Sequence, residues 1–301
     1  MMAGISEKKI LRLRRNQIYP RGRPMDPGFM VKRTPIMDRK TPVASMGSCF
    51  AANLKGFLVR NGFNYVQASK APGPQVASAA WGTVYNTFCI AQEMARANGD
   101  FHPAEEEWDM GRGCLIDPYR KGIQWRDRET ALKERTEHAQ TARRAIEEAE
   151  VFILTVGVTE IWFSKIDGSV FFQVPPPRVF DGERHGFRTS SFEANKQNLQ
   201  SALQDLWRIN PACNVILTVS PVPLRATFRD TNVVTANAQS KATLLAAVYD
   251  VVGDLGRRVH YFPAYELATV MSGNPFKPDN RHVRAGVIKG IMDVFIRSFV
   301  Q

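Results

Sequence analysis

From residue 41 onward, apolar stretches of strand length alternate with amphipathic stretches of helical length. The charged segment Arg128–Glu150 leads directly into the apolar run Val151–Thr155, and Glu193–Arg208 leads into Asn214–Ser220. Strands this apolar are buried on both faces, and helices are the usual connections between parallel strands. The pattern therefore predicts the α/β class, as a three-layer αβα sandwich with a mainly parallel sheet.

The remaining predicted elements complete this pattern. Strands are predicted at Thr41–Met46 and Val259–Phe262, and helices at Cys49–Gly62, 84–97, Val234–Val252 and Val283–Val300. Residues 100–126 contain scattered Gly, Pro and Trp, which predicts a long loop of the kind that often carries function. We interpret residues 41–301 as one domain.

Positive charge is concentrated near the N-terminus. The 301 residues include 40 Lys and Arg against 29 Asp and Glu, and residues 1–40 alone hold eleven basic and three acidic residues. Four prolines in this segment disfavour regular structure, so we predict a basic, extended arm over residues 1–40 with a short helix near Ile10–Ile18. Either the arm wraps the domain or is mobile, or it attracts an anionic partner such as nucleic acid, a phosphoglycan or lipid headgroups.

Cysteine usage and hydropathy restrict the compartment. Cys49, Cys89, Cys114 and Cys213 form no CxxC pair, which disfavours a disulfide framework or a structural zinc site and fits a reducing cytosol. No apolar run approaches the roughly 18 residues that a membrane span needs, and the N-terminus lacks the apolar core of a secretory signal. We therefore expect a cytoplasmic protein. Because no P-loop, G-x-G-x-x-G or H-E-x-x-H motif is present, we expect no cofactor and no metal.

The first candidate site residue is Ser48. It lies in Gly47-Ser48-Cys49-Phe50-Ala51, where the first predicted strand meets a helix. Ligands bind at the carboxyl ends of parallel strands, and backbone N–H groups at a helix start stabilise a developing oxyanion. The alternative is that Ser48 only caps the helix. Cys49 is a rival nucleophile, although we expect it to point into the core.

A second candidate group precedes the last predicted helix, in Asp279-Asn280-Arg281-His282. At this spacing a carboxylate can bind one imidazole nitrogen while the other nitrogen faces a nucleophile. The alternative is a capping Asp beside a surface His. A serine after the first strand, combined with Asp-x-x-His before the last helix, favours nucleophilic catalysis over both alternatives.

The sequence resembles the GSCFA family, a branch of the SGNH (GDSL-like) hydrolase superfamily, whose namesake motif is Gly47–Ala51. The resemblance covers roughly residues 41–298 and extends to five further segments: Tyr85-Asn86, Thr155–Trp162, Ser220–Val222, Ala236–Lys241 and Asp279–His282. It implies a flavodoxin-like SGNH fold. It also implies that Ser48 is the nucleophile, that His282 is the general base and that Asp279 orients His282.

The resemblance implies oxyanion and substrate-binding residues as well. The superfamily's glycine could be Gly82, with Asn86 as the other polar candidate. The superfamily's G-x-N-D block reads Gly157-Val158-Thr159-Glu160 here, so Thr159 offers a hydroxyl in place of an amide. Asn86, Thr159 or a backbone N–H is then the third oxyanion donor, unless two donors suffice. For Glu160 we weigh a role in substrate binding against a salt bridge to a nearby Arg.

Two further expectations concern other polar residues. We expect surface or packing roles for the remaining histidines, which show no ligand spacing; of these, His185 is the best candidate for a substrate contact, because charged residues surround it in the sequence. We interpret Ser240-Lys241 as structural and not as a catalytic dyad, with Asn237 and Ser240 tying the start of a helix to the preceding loop.

These observations favour an SGNH-type serine enzyme. The leading hypothesis is an esterase or O-acyltransferase that acts on an acylated carbohydrate or glycolipid through a Ser48 acyl-enzyme. The alternative is a non-catalytic glycan or nucleic-acid binding protein on the same scaffold, with the basic arm as its binding element. The expected partner is a small-molecule or glycan acyl ester, with an anionic partner possible for the arm.

Overall fold

The computed structural model describes residues 30–68 and 77–301. Within them the strands are β1 (Val43–Gly47), β2 (Trp108–Asp109), β3 (Leu115–Ile116), β4 (Gln124–Trp125), β5 (Val151–Val156), β6 (Glu160–Ser164), β7 (Val170–Phe171), β8 (His185–Thr189), β9 (Asn214–Val219) and β10 (Val259–Phe262). The helices are α1 (Cys49–Arg60), α2 (Thr87–Asn98), α3 (Arg128–Glu147), α4 (Phe192–Ile209), α5 (Val233–Leu255), α6 (Ala264–Thr269) and α7 (Ala285–Phe299). The helix predicted near Ile10–Ile18 lies outside the described residues.

The central sheet is parallel and runs in the order β1-β5-β9-β10. On the free side of β1, Tyr65 forms a single parallel bridge with Val43, and so occupies a fifth strand position. Counted along the chain, the five positions follow the order 2-1-3-4-5 of flavodoxin-like sheets. This confirms the predicted fold class.

The two faces of the sheet carry separate hydrophobic clusters. Phe152 and Leu154 of β5 pack with residues of α2, α3, α4 and α5, whereas Val151 and Ile153 pack with residues of α1, α6 and α7. Alternate side chains of a strand point to opposite faces, so a strand that is apolar throughout requires helices on both. The sandwich therefore has the three predicted layers.

Two small antiparallel sheets were not predicted. β2, β3 and β4 form one within the predicted loop 100–126, and β6, β7 and β8 form the other. Several of these strands contain only two residues, which is too short for a periodic pattern in the sequence. Residues 100–126 are thus an ordered lobe that packs beside the sandwich, with Trp108 and Trp125 buried.

A buried arginine holds this lobe against α3. Arg120, only 1% exposed, donates from Nε to Asp117 at 2.7 Å and also binds the carboxylate of Glu134. Burial of such a cation is tolerated only when its charge is paired. The arrangement fixes the turn that carries Lys121, which faces the cleft described below.

The described end of the predicted arm is part of the domain. Thr34 donates its backbone N–H to Ser298 at 2.7 Å, and Met37, which is buried, forms a parallel bridge with Val300. Residues 30–40 thus include a segment that pairs with the C-terminal residues. Among the described residues, no helix is both long and apolar enough to cross a bilayer.

Replacing Arg120 should destabilise the lobe. Arg120→Met leaves the buried Asp117 carboxylate without its cation, so we expect the free energy of unfolding to fall by about 3–5 kcal/mol. Arg128→Met is the control, because its side chain is 81% exposed and its ion pair with Glu107 contributes little. Urea unfolding of both variants tests this; equal losses would contradict it.

Candidate active site

The site begins where β1 ends, at Gly47. A Cβ atom on Gly47 would lie 2.6 Å from both Cβ and the carbonyl oxygen of Thr155 in β5, a distance that real Cβ atoms do not adopt. Gly47 is therefore required by the close approach of the two strands. Because Phe50 is fully buried against α7, the turn between β1 and α1 is held from both ends.

Ser48 occupies this turn and has two structural roles. It is the N-cap of α1, accepting a hydrogen bond from Phe50 N at 3.3 Å, and it lines a cleft at the carboxyl edge of the sheet. Ser48 therefore does cap the helix, as the alternative predicted, and it also lines the cleft. Its position places the first N–H groups of α1 beside the hydroxyl.

Cys49 does not point into the core, contrary to expectation. It is half-buried and lines the same cleft, with Sγ 3.9 Å from Oη of Tyr85. The helix turns by about 100° per residue, so the side chain after Ser48 stays at the cleft while Phe50 enters the core.

Asp279 and His282 form the predicted pair. A carboxylate oxygen of Asp279 binds Nδ1 of His282, and the other accepts the backbone N–H groups of Arg281 at 3.1 Å and His282 at 3.0 Å. These contacts, with His282 first, lower the pKa of Asp279 well below its usual value. Asp279 is therefore ionised and fixes the ring, leaving Nε2 as the nitrogen that can face a nucleophile.

Ser48 and His282 lie on one cleft of about 440 Å³. The cleft collects side chains from the ends of β1, β5 and β9 and from the turn before α7: Ser48, Cys49, Val158, Ser220, Leu224, Arg281 and His282. Within the described residues, no hydrogen bond joins Ser48 to His282. Contacts of this kind are often longer before substrate binds.

Gly157 lies between the serines of two strand ends. A Cβ there would lie 3.6 Å from Cβ of Ser220 and 3.9 Å from Cβ of Ser48. Its backbone N–H donates to the carbonyl of Tyr85 at 2.8 Å. Gly157 therefore lines the cleft floor, but its amide is already bonded and is not an available oxyanion donor.

Two other predicted donors lie away from the cleft. Both the backbone N–H and the hydroxyl of Thr159 donate to Oγ of Ser240, at 2.8 and 3.1 Å, and Thr159 is 1% exposed. A Cβ on Gly82, whose φ is +65°, would lie 3.4 Å from the carbonyl oxygen of Lys121, and Gly82 is not among the residues that line the cleft. Both donors of Thr159 are thus used by Ser240, whereas the role of Gly82 as an oxyanion donor stays a prediction.

Asn86 and Glu160 line a second pocket that opens beside the first. This aromatic pocket, of about 240 Å³, is walled by Trp162, Phe171, Phe172 and Phe228 and shares Tyr85, Lys121, Val158 and Leu224 with the Ser48 cleft. Asn86 caps α2 by accepting from Cys89 N at 2.9 Å. The carboxylate of Glu160 binds Thr227, Phe228 N and Nε of Arg229, which agrees with the salt-bridge alternative.

Lys241 is buried beneath the cleft and was not predicted as part of it. Its Nζ donates to the carbonyl of Gly157 at 2.8 Å and to that of Val222 at 3.0 Å, so it joins the loops after β5 and β9. Burial lowers the pKa of Lys241 to about 7. Neighbouring Asn237 binds Leu224 N at 3.1 Å, as expected, whereas Ser240 binds the loop after β5. The sequence signal was a lysine on the buried face of a helix.

His185 does not reach the cleft. It is 3% exposed, and its Nε2 lies 3.0 Å from Oε1 of Glu105, so it is a buried structural residue of β8. Among the described residues, no group of three or more His, Cys, Asp or Glu could hold a metal ion.

The structure is thus a parallel αβα sandwich in which Ser48 and His282 line a cleft at the carboxyl edge of the sheet and Asp279 binds His282. The chain belongs to the GSCFA family, whose model matches residues 42–295. That range begins one residue before β1 and ends within α7, and so contains every residue of the cleft. A search of curated proteins gives no match.

Solved structures that resemble the chain include carbohydrate-active esterases. A carbohydrate esterase family 3 enzyme from Talaromyces cellulolyticus has a TM-score of 0.40 and 10% identity, covering 85% of this chain and 94% of its own. A mutant acetyl esterase with acetate ion has a TM-score of 0.38 and 10% identity, covering 84% and 93%. A carbohydrate esterase family 2 enzyme from Corynascus thermopiles (Myceliophthora fergusii) has a TM-score of 0.38 and 13% identity, covering 87% and 66%. Identities and scores this low leave the functional argument to the cleft itself.

The buried amine of Lys241 should make stability depend on pH. Its pKa is lowered to about 7 in the folded protein, whereas an unfolded lysine titrates near 10.4. Between these values the unfolded chain binds more protons, so the free energy of unfolding should rise with pH, by at most about 1.4 kcal/mol per pH unit.

Lys241→Met removes this contribution. Urea unfolding from about pH 7 to about pH 9 should therefore give a steeper rise for wild type than for the variant. Lys289→Met, at a side chain that is 75% exposed, should follow wild type. Identical pH slopes for wild type and Lys241→Met would contradict the assignment.

Proposed function

We propose that the protein is a serine-dependent esterase or O-acyltransferase that acts on an acylated carbohydrate or glycolipid. The observation that carries this proposal is that Ser48 and His282 line one cleft while Asp279 holds Nδ1 of His282. A purely capping Ser48 would not need an oriented imidazole on the same cleft. The cytoplasmic location stays a prediction.

The reaction uses an acyl-enzyme. His282 Nε2 takes the proton of the Ser48 hydroxyl as Oγ attacks the acyl carbonyl carbon, and the alcohol then leaves with that proton. In the second half, water or a sugar hydroxyl gives a proton to His282 and attacks the carbonyl carbon of the Ser48 ester; His282 then returns that proton to Oγ of Ser48 as the acid or new ester leaves. The acceptor decides between hydrolysis and transfer.

We assign two groups as oxyanion donors. The backbone N–H of Ser48 lies beside the hydroxyl at the start of α1, where the helix dipole favours negative charge. The second donor is the side-chain amide of Asn86, which lines the adjoining aromatic pocket: Oδ1 is used for capping α2, which leaves Nδ2 for the substrate. In this proposal the backbone N–H of Ser48 and the amide of Asn86 act in place of the amide that Thr159 lacks.

Reaction with a fluorophosphonate probe tests the nucleophile. Intact-mass analysis of wild type should show one adduct, and Ser48→Ala and His282→Ala should lose it. Cys49→Ala is the matched control, since Cys49 lines the same cleft, and it should keep the adduct. An adduct that moves with Cys49, or no adduct on folded wild type, would refute the serine mechanism and favour a binding role.

Asn86→Asp separates capping from oxyanion stabilisation. Asp caps helices as well as Asn, so α2 should keep its stability, but the donor is lost. Loss of one donor typically costs about 2.7–4 kcal/mol, so kcat/KM for 4-nitrophenyl acetate should fall about 100-fold or more with little change in Tm. An unchanged kcat/KM would exclude Asn86 as a donor.

A further inference from the structure

The Ser48 cleft is lined by cations without matching acids. Lys121, Arg225 and Arg281 all face it, from three separate segments of the chain. None of its lining residues is Asp or Glu, and the nearby Asp279 is already bound to His282. The cleft that holds the reactive serine therefore has a positive wall.

These three cations also form no ion pair within residues 30–68 and 77–301. Other arginines of the molecule show what pairing looks like here: Arg229, just outside the cleft, binds Glu160 at 3.1 Å, and Arg120 binds two carboxylates. Unneutralised cations gathered in a concave site attract anions, because the walls of a cleft concentrate their field. The difference between these paired arginines and the three unpaired cations of the cleft therefore favours a bound anionic ligand over a solvated surface.

Arg281 is the best placed of the three. Its Nη2 lies 3.4 Å from the carbonyl of Pro223, which holds the guanidinium over the loop after β9, next to His282. Its Nε is buried and has no hydrogen-bond partner among the described residues. A guanidinium with spare donors matches a carboxylate, sulfate or phosphate, which it can bind through two parallel hydrogen bonds.

We infer that the substrate of this cleft is an anionic sugar ester, carrying a carboxylate, sulfate or phosphate close to the acylated hydroxyl. Arg281 binds the anion, and Arg225 and Lys121 complete the positive wall. The ester carbonyl then meets Ser48 while the aromatic pocket, which shares Tyr85 and Leu224 with the cleft, receives the rest of the substrate. This inference rests on the proposed function for the ester, but the anion site itself does not require catalysis.

Calorimetric titration of the wild-type protein tests the anion site directly. The probes are glucuronate for the carboxylate, glucose 6-sulfate for the sulfate, glucose 6-phosphate for the phosphate and glucose as the neutral reference. At least one anionic sugar should bind about tenfold or more tightly than glucose, since charge-assisted hydrogen bonds are the stronger ones. The sugar that binds most tightly identifies whether the substrate carries a carboxylate, a sulfate or a phosphate. Its binding should weaken at high salt.

Variants assign the effect to the cleft. Arg281→Gln and Arg225→Gln should each weaken binding of the anionic sugar about fivefold or more without affecting glucose. Arg284→Gln removes the same charge from an exposed position outside the cleft lining and should bind like wild type. Equal or undetectable binding of all four sugars, or an equal loss in Arg284→Gln, would overturn the proposal.

The same ligands tested as competitive inhibitors of 4-nitrophenyl acetate hydrolysis separate the two claims. Anion binding without any hydrolysis would support the anion site and refute the proposed esterase activity. Hydrolysis without any preference for anionic sugars would support the esterase and refute the anion site. Tighter binding of a single-stranded oligonucleotide than of any anionic sugar would overturn the assignment to a sugar ester and favour a nucleic-acid binding protein.

Discussion

The close contact between Gly47 and Thr155 is the constraint on which the site depends. No side chain fits between β1 and β5 at this point, since a Cβ would lie 2.6 Å from Thr155. Because Gly47 has no side chain, β1 stays paired with β5 up to its last residue. The chain then enters α1 directly at the edge of the sheet, with Ser48 in the turn. Parallel pairing in register then brings the ends of β5 and β9 to the same edge.

A buried amine and the three cations that line the cleft have different electrostatic roles at this edge of the sheet. Lys241 donates to the carbonyls of Gly157 and Val222 and so joins the loops after β5 and β9. Above them, the cations of the cleft lining have no carboxylate partners among the described residues. Lys241 therefore helps to set the shape of the cleft, whereas the three cations determine the charge of the ligand that we infer.

The sequence predicted the layers and the parallel sheet from long apolar runs, and its short motifs singled out Ser48 and His282, which line one cleft. It did not predict the small antiparallel sheets, several of whose strands have only two residues and so show no periodic pattern. Nor did it show that the donors of Thr159 are both bound to Ser240, since this depends on a contact across 81 positions. Side-chain pairing at long sequence separation is the part of the site that only the fold defines.

A crystal structure of the protein after reaction with a fluorophosphonate tests the account most directly. The account predicts phosphorus bonded to Oγ of Ser48, with Nε2 of His282 within hydrogen-bond distance of that oxygen. The phosphonyl oxygen should lie on the backbone N–H of Ser48 and on Nδ2 of Asn86. Phosphorus on Cys49, or a phosphonyl oxygen turned away from both donors with His282 pointing to solvent, would contradict it.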